Sequence, residues 1–165
     1  MSDPAPLEPP DVLTGLGTAF RLYEHPGVVD PVQVCAALGV PLERTVKTLA
    51  FVTAEDRLVL AALPGHARLR YGPLARAAGL RRGELSPAGA ERLARAGMRP
   101  GGVCPVSVDP DTMVVFDDTV SGLGRVHCGS GRPERSIEIE AGALVAAVPA
   151  AVTAAIGALP AGEPA

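Results

Sequence analysis

The sequence predicts an α+β domain in which a mixed, curled β-sheet is flanked by helices. Three observations carry that expectation. Segments whose apolar residues recur at every second position, such as 45–52 and 136–140, read as strands, while segments bounded by a capping residue and a glycine read as short helices. The two kinds do not alternate regularly, as they would in a doubly wound parallel sheet. At 165 residues and 47% hydrophobic, the chain is long enough to bury one core and short for two.

Taken in order, residues 1–10 hold four prolines and little apolar content, and the chain from residue 160 onward is similar. Both ends are expected to be loosely ordered, leaving a single folded unit over 11–159. Asp30-Pro31-Val32-Gln33 reads as a helix start, with Asp30 as N-cap, Pro31 at the first helical position and Gln33 closing a capping box; Gly39 ends that helix. Strands at 45–52 and 57–63 are joined by Ala54-Glu55-Asp56 as a hairpin turn and should pair antiparallel. Helices are expected over 71–78 and 87–96, stopped by Gly79 and Gly97, with Ser86 capping the second. A glycine-proline loop at 99–105 precedes strands at 113–116, 125–128 and 136–140, and a last helix is expected after Pro149. The uncharged stretch 141–162 is mostly alanine, broken by Pro149, Gly157 and Pro160, so it reads as a soluble terminal helix and not as a membrane span.

Charge is unevenly placed. The net charge is −3, yet Arg68, Arg70, Arg76, Arg81, Arg82, Arg92, Arg95 and Arg99 face only Glu84 and Glu91, an excess of six positive charges between His66 and Arg99. Such a sector on an otherwise acidic protein fits a polyanion, although arginines on the solvated faces of two helices would count the same way. Lys47 is the only lysine in the chain. In a sequence whose composition favours arginine, the position that keeps an amine is a chemical suspect, because an ammonium is a compact charge that can be aimed at one oxygen. A period of two aligns Lys47 with Leu49 and Phe51. That places it either in a pocket or at a strand end, where an edge lysine would only discourage aggregation.

Cys35, Cys104 and Cys128 form no CxxC and give no disulfide framework. His127 and Cys128 are adjacent on a strand and point to opposite faces, so no metal site is expected. Free thiols and a start without a basic and apolar leader point to the cytoplasm. Gly101-Gly102-Val103-Cys104-Pro105 can present backbone N–H groups to an oxyanion or can be a tight turn; Gly129-Ser130-Gly131 can be a pocket wall or a connection. Asp117-Asp118 could be two site carboxylates or could cap a turn. His25 and His127 are candidate pocket residues or hydrogen-bonded histidines of the fold. No GxSxG, HExxH or Walker loop is present.

In this order and spacing the pieces resemble the YbaK/prolyl-tRNA synthetase editing-domain family of aminoacyl-tRNA deacylases. The resemblance is carried by Tyr23-Glu24-His25, Val46-Lys47-Thr48-Leu49, and Gly101 to Pro105 as the GxxxP loop. It continues through Val115-Phe116-Asp117-Asp118-Thr119, Gly129-Ser130-Gly131 and Ile137-Glu138-Ile139, and covers about residues 19–148. It implies that family's fold, a barrel-like curled sheet, and a hydrolase that cuts the ester of a mischarged tRNA in trans, with tRNA(Pro) carrying Cys or Ala as the substrate. The physical need for such a second sieve is that a synthetase pocket rejects an amino acid smaller by one methylene by only about 1–3 kcal/mol.

The resemblance further implies site roles. Lys47 would meet the terminal phosphate or ribose or polarise the ester, and the backbone of Gly101 and Gly102 would hold the carbonyl. Tyr23, His25, Thr48, Pro105, Asp117, Ser130 and Gly131 would bind the aminoacyl end. Arg68, Arg70, Arg81, Arg82 and Arg99 would hold the acceptor stem by its phosphates. A water, or the substrate's own thiol, would attack, so neither cofactor nor metal is expected. The implied partners are the mischarged tRNA acceptor end and a synthetase, with no membrane and no DNA. The chain reads Gly129-Ser130-Gly131 where the cysteine-clearing clade tends to carry Ser-Gly-Gly, which leaves alanine, cysteine, serine and threonine open.

Overall fold

The structure, a computed structural model, describes residues 7–27 and 31–160. The expected cap Asp30 lies outside the described residues. The elements begin with α1 (Pro9–Gly15), β1 (Arg21–Glu24), α2 (Pro31–Leu38), β2 (Thr45–Val52) and β3 (Leu58–Pro64). They continue with β4 (Arg68–Leu69), α3 (Tyr71–Ala77), β5 (Ser86–Pro87), α4 (Ala90–Arg95) and β6 (Met113–Asp117). The last are β7 (Arg125–Gly129), β8 (Arg135–Glu140), α5 (Ala141–Ala146), β9 (Val152–Ala154) and β10 (Gly157–Ala158).

The mixed α+β architecture is as the sequence predicts. Strands run in the order β1-β8-β7-β2-β3-β6-β9, with β5 added beside β2, and β10 pairs with β4 in a separate ribbon. The β2–β7, β3–β6 and β6–β9 ladders are parallel and the rest antiparallel. The centre is β3, Leu-Val-Leu-Ala-Ala-Leu-Pro, which has no polar face and is buried at all seven positions. Such a strand needs cover on both sides. Its even residues Leu58, Leu60 and Ala62 join a core with Leu13 of α1, Leu93 of α4 and Leu144 of α5. Its odd residues Val59, Ala61 and Leu63 join a second core with Leu74 of α3, Val115 and Ile156. Each fully buried leucine contributes about 1.5–3 kcal/mol relative to exposure. The β2–β3 hairpin closes where expected: Asp56 takes a left-handed backbone at φ 64°, and Thr53 N–H donates to Arg57 O at 3.0 Å.

Three expectations are corrected. The segment after Pro149 is strand and not helix: Val152, Thr153 and Ala154 pair in parallel with residues 115–117, while the helix α5 precedes the proline. Proline stops the helix, and the free edge of β6 supplies a partner for the β-branched residues beyond it. Pro87 does not open α4 either. Ser86 and Pro87 extend as β5 against residues 51 and 52, and α4 starts at Ala90 with Gly89 as its N-cap. A short edge strand tolerates a proline that lacks N–H. Finally, the fold takes in Glu8, Pro9 and Pro10, which composition had assigned to a loose terminus. Both prolines are buried in the first turn of α1, and the Glu8 carboxylate accepts two bonds from Arg132 at 2.6 Å.

Candidate functional site

Strand register decides which side chains share a face. His127 lies opposite Thr45 and Glu138, Ser136 opposite Gly129 and Tyr23. One face of the β1-β8-β7-β2 sector therefore carries Tyr23, Ser136, Glu138, His127, Gly129, Thr45 and, two residues along β2, Lys47. The opposite face carries Val46, Val126, Cys128, Ile137 and Ile139, all in the core. A cavity of about 390 Å³ is lined by Lys47, His127 and Ser136 of the polar face, by Thr48, Cys128 and Arg135 of the opposite face, and by His25, Gly101 and Val103 among others.

The GxxxP loop reaches this face because two glycines let backbones touch. A Cβ on Gly129 would stand 2.2 Å from the Val103 carbonyl oxygen, and a Cβ on Gly102 would stand 2.5 Å from the Arg132 backbone. Arg99 N–H donates to Gly131 O at 2.8 Å and Gly131 N–H to Gly102 O at 2.7 Å, which stitches the loop to the segment after β7. Gly102 N–H is itself spent on Arg99 O at 3.0 Å. The loop N–H groups free to meet a ligand are those of Gly101 and Val103, neither of which donates to another described residue. This corrects the expectation that Gly102 supplies a donor; its role is to permit the close approach.

Lys47 is half-buried, and burial lowers its pKa below the ordinary lysine value, with no carboxylate paired to it among the described residues. His127 is buried, and burial lowers its pKa although Glu138, 3.4 Å away, pulls the other way. Glu138 is held by Arg125 at 3.1 Å, and the Tyr23 ring lies 5.6 Å from that of His127. His25 sets its Nδ1 2.9 Å from the Pro26 carbonyl, which can only accept, so Nδ1 carries the proton. With the proton on Nδ1, the Nε2 lone pair can accept from the Ser136 hydroxyl, 2.7 Å away. Arg135 brings a second cation, 3.9 Å from the Glu8 carboxylate, whose Nε is buried with no hydrogen-bond partner among the described residues.

Thr48 sits at a break in the sheet. β7 pairs with β2 only at residues 45 and 46, and β5 only at 51 and 52. Thr45 O accepts from Gly65 on the β3 side, whereas Ala50 O accepts from Ala88 on the other. Backbone alternation therefore turns the Thr48 N–H and C=O toward the gap between β7 and β5. Its Oγ1 is also buried with no hydrogen-bond partner among the described residues. Buried polar groups are ordinarily paired, so this cluster can hold a polar ligand group.

Several expected site residues lie elsewhere. Asp117 is buried under the C-terminal strands, where Oδ1 accepts from Ile156 N–H at 3.0 Å and Gly157 N–H at 2.8 Å, and Oδ2 from Thr119. Ser130 is fully buried and donates to Arg135 O at 2.6 Å, so with Gly131 it supports the loop and does not line the cavity. Pro105 is buried outside the lining, and Tyr23 reaches the site through the His127 ring and through its hydroxyl, which donates to Glu138 Oε2 at 3.5 Å. The Cys128 thiol, pushed up in pKa by a hydrogen bond with Cys104 and by burial, is a packed neutral group on the core face. The residues that sequence reasoning left without a role are His127, Ser136, Arg135 and the Val103 N–H. Only His127 stood out beforehand, as a histidine on a strand.

The arginine sector divides in two. Arg92 is buried and pairs with Asp109 at 2.7 Å, Arg95 pairs with Asp56, and Arg99 pairs with Glu134 at 2.6 Å. Arg68, Arg70, Arg76, Arg81 and Arg82 are exposed around β4 and α3 and enter no ion pair among the described residues. Among those residues no group of three His, Cys, Asp or Glu could hold a metal, and no helix is long and apolar enough to cross a membrane.

Comparison with known proteins shows the family and the fold. The profile described as "Aminoacyl-tRNA editing domain" matches residues 25–147. A proline–tRNA ligase of Thiobacillus denitrificans (strain ATCC 25259 / T1) is 36% identical over 117 residues, which is 70% of this chain but a fifth of the ligase. The crystal structure of hypothetical protein APE2540 superposes with a TM-score of 0.77 at 25% identity, covering 90% of this chain and 98% of that one. A structure described as a candidate trans-editing enzyme for prolyl tRNA synthetase superposes at 0.73 and 23% identity, covering 87% and 92%. From residue 25 to 147, then, over the strands and loops that build the cavity, this chain belongs to the aminoacyl-tRNA editing domain family.

Proposed function

We propose that this protein is a free-standing deacylase that hydrolyses the ester of a mischarged tRNA in trans, in the cytoplasm, with tRNA(Pro) carrying Cys or Ala as the substrate. The observation that carries the reading is the meeting in one cavity of an unpaired, half-buried Lys47 with the free N–H groups of Gly101 and Val103. Family membership supports the reaction class. The likeness to a proline–tRNA ligase supports the tRNA and a synthetase as partners.

In this reading the two N–H groups face the ester carbonyl oxygen and stabilise the negative charge that develops when water adds to the acyl carbon. The acyl C–O bond breaks, the ribose oxygen recovers a proton, and the products are the free amino acid and the uncharged tRNA. Lys47 and Arg135 hold the terminal phosphate and ribose, which fixes the ester over the loop. Thr48 offers an acceptor and a donor to the amino acid at the gap in the sheet.

The test is the loss of labelled amino acid from tRNA(Pro) charged in turn with alanine, cysteine, serine and proline. Clearance of a mischarged species, sparing Pro-tRNA(Pro) and reduced about 100-fold in kcat/KM by Lys47→Ala, is the expected result. Binding of every species without turnover would instead make the protein a tRNA-binding module on the same fold.

A further inference from the structure

The polar face of β2 does not stop at the cavity. Beyond Lys47 come Leu49, 36% exposed, and Phe51, whose ring meets that of Tyr71 at 5.7 Å with an interplanar angle of 83°. Tyr71 is itself 42% exposed at the start of α3, and the Arg82 guanidinium stands over its ring at 5.6 Å. Around this pair lie the exposed Arg68, Arg70, Arg76 and Arg81. In a chain with five aromatic residues and no tryptophan, one is thus held at the surface, braced from below by Phe51 and set among unpaired cations.

An exposed ring with a neighbouring guanidinium and surrounding positive charge is what an unpaired nucleic-acid strand requires. Arginines track the phosphates and the aromatic face receives a base without regard to its identity. Strand geometry sets the distance: four residues at about 3.3 Å each put Phe51 about 13 Å from Lys47 along β2. A stacked strand rises about 3.4 Å per nucleotide, so a base arriving there lies within about four nucleotides of the one held at Lys47.

We infer that Tyr71 and Arg82 form a stacking platform for one base of the unpaired tRNA 3′ end, upstream of the terminal adenosine. The inference rests on the function proposed above and adds a second point of grip to it. The platform orients the strand along the Lys47–Leu49–Phe51 line, while Arg68, Arg70, Arg76 and Arg81 receive the phosphates that follow.

The test uses the full chain and an acceptor-stem RNA hairpin with an unpaired 3′ end, together with hairpins lacking one unpaired base at a time. For the wild type, one abasic position weakens binding about tenfold. Tyr71→Ala binds the intact hairpin about tenfold more weakly and is insensitive to loss of that same base, whereas Tyr71→Phe behaves as wild type. Tyr71→Leu keeps an apolar side chain over Phe51 and should also lose the base dependence, which serves if the alanine variant unfolds. Equal penalties in wild type and in Tyr71→Leu at every position would overturn the platform while leaving the deacylation assay free to support editing. Failure of the wild type to bind any hairpin would overturn both.

Discussion

On one face of β2, β7 and β8, Val46, Val126, Cys128, Ile137 and Ile139 are exposed by no more than 4% and pack against helices. On the other, the residues next along the same strands are Lys47, His127, Ser136 and Glu138, and two glycines, Gly102 and Gly129, let a loop come onto them. The comparison teaches that along β7 and β8 stability and chemistry are separated by the two-residue period of the strand and not by distance along the chain, whereas on β2 the gap at Thr48 opens the core face to the cavity as well. On β7 and β8, substitutions one position apart should therefore fail in different assays.

The largest effect should come from the apolar face. Ile137→Ala leaves a cavity under a fully buried side chain and should cost about 2–5 kcal/mol in denaturant unfolding, while the protein that remains folded keeps its kcat. A Gly129→Ala substitution sharpens the contrast from the polar face. Its Cβ meets the Val103 oxygen at 2.2 Å, so the loop must withdraw, and deacylation should fall by more than tenfold even where the melting temperature changes little.

Lys47→Met should lower kcat/KM for deacylation about 100-fold yet raise the melting temperature. Burial lowers the Lys47 pKa in the folded state, so the unfolded chain binds that proton more tightly; the charge opposes folding in full below the folded pKa, and the penalty is released as pH rises from there to the unfolded value. A drop in stability on losing this charge would contradict the reading of Lys47 as an unpaired cation. His127 gives the same sign at lower pH. Its folded pKa is depressed by burial, so stability should decline as pH falls through about 6.5 toward the folded value, and His127→Gln should flatten that limb. Smallest of all, Cys104→Ala should cost about 1 kcal/mol of stability through lost packing and leave kcat unchanged, since the thiol lies on the core side.

How far these faces could be read beforehand varies by residue. The β2–β3 hairpin was legible because alternation, a continuous apolar run and a polar turn agree, and Lys47 was legible because arginine is the default elsewhere. The C-terminal strands were not, because an alanine-rich segment carries no period and its pairing depends on a distant edge at β6. Asp117 and Ser130 have the composition of site residues but spend their hydrogen bonds on backbone, a distinction that only tertiary contacts reveal. Nor could a charge count separate Arg92, tied to Asp109, from Arg68, which has no such partner. The gap in the sheet at Thr48 arises from where two other strands stop and has no local signature.

The solitary lysine has a practical corollary. Amine-reactive reagents attack neutral amines, and Lys47 is the one side-chain amine of this chain, its pKa drawn down by burial, so that apart from the α-amine it is the position such reagents can label. A fluorophore or isotopic tag coupled there by acylation would mark the mouth of the cavity without mutagenesis. Protection of that single position by a bound RNA end would report occupancy directly, residue by residue, in the unaltered protein.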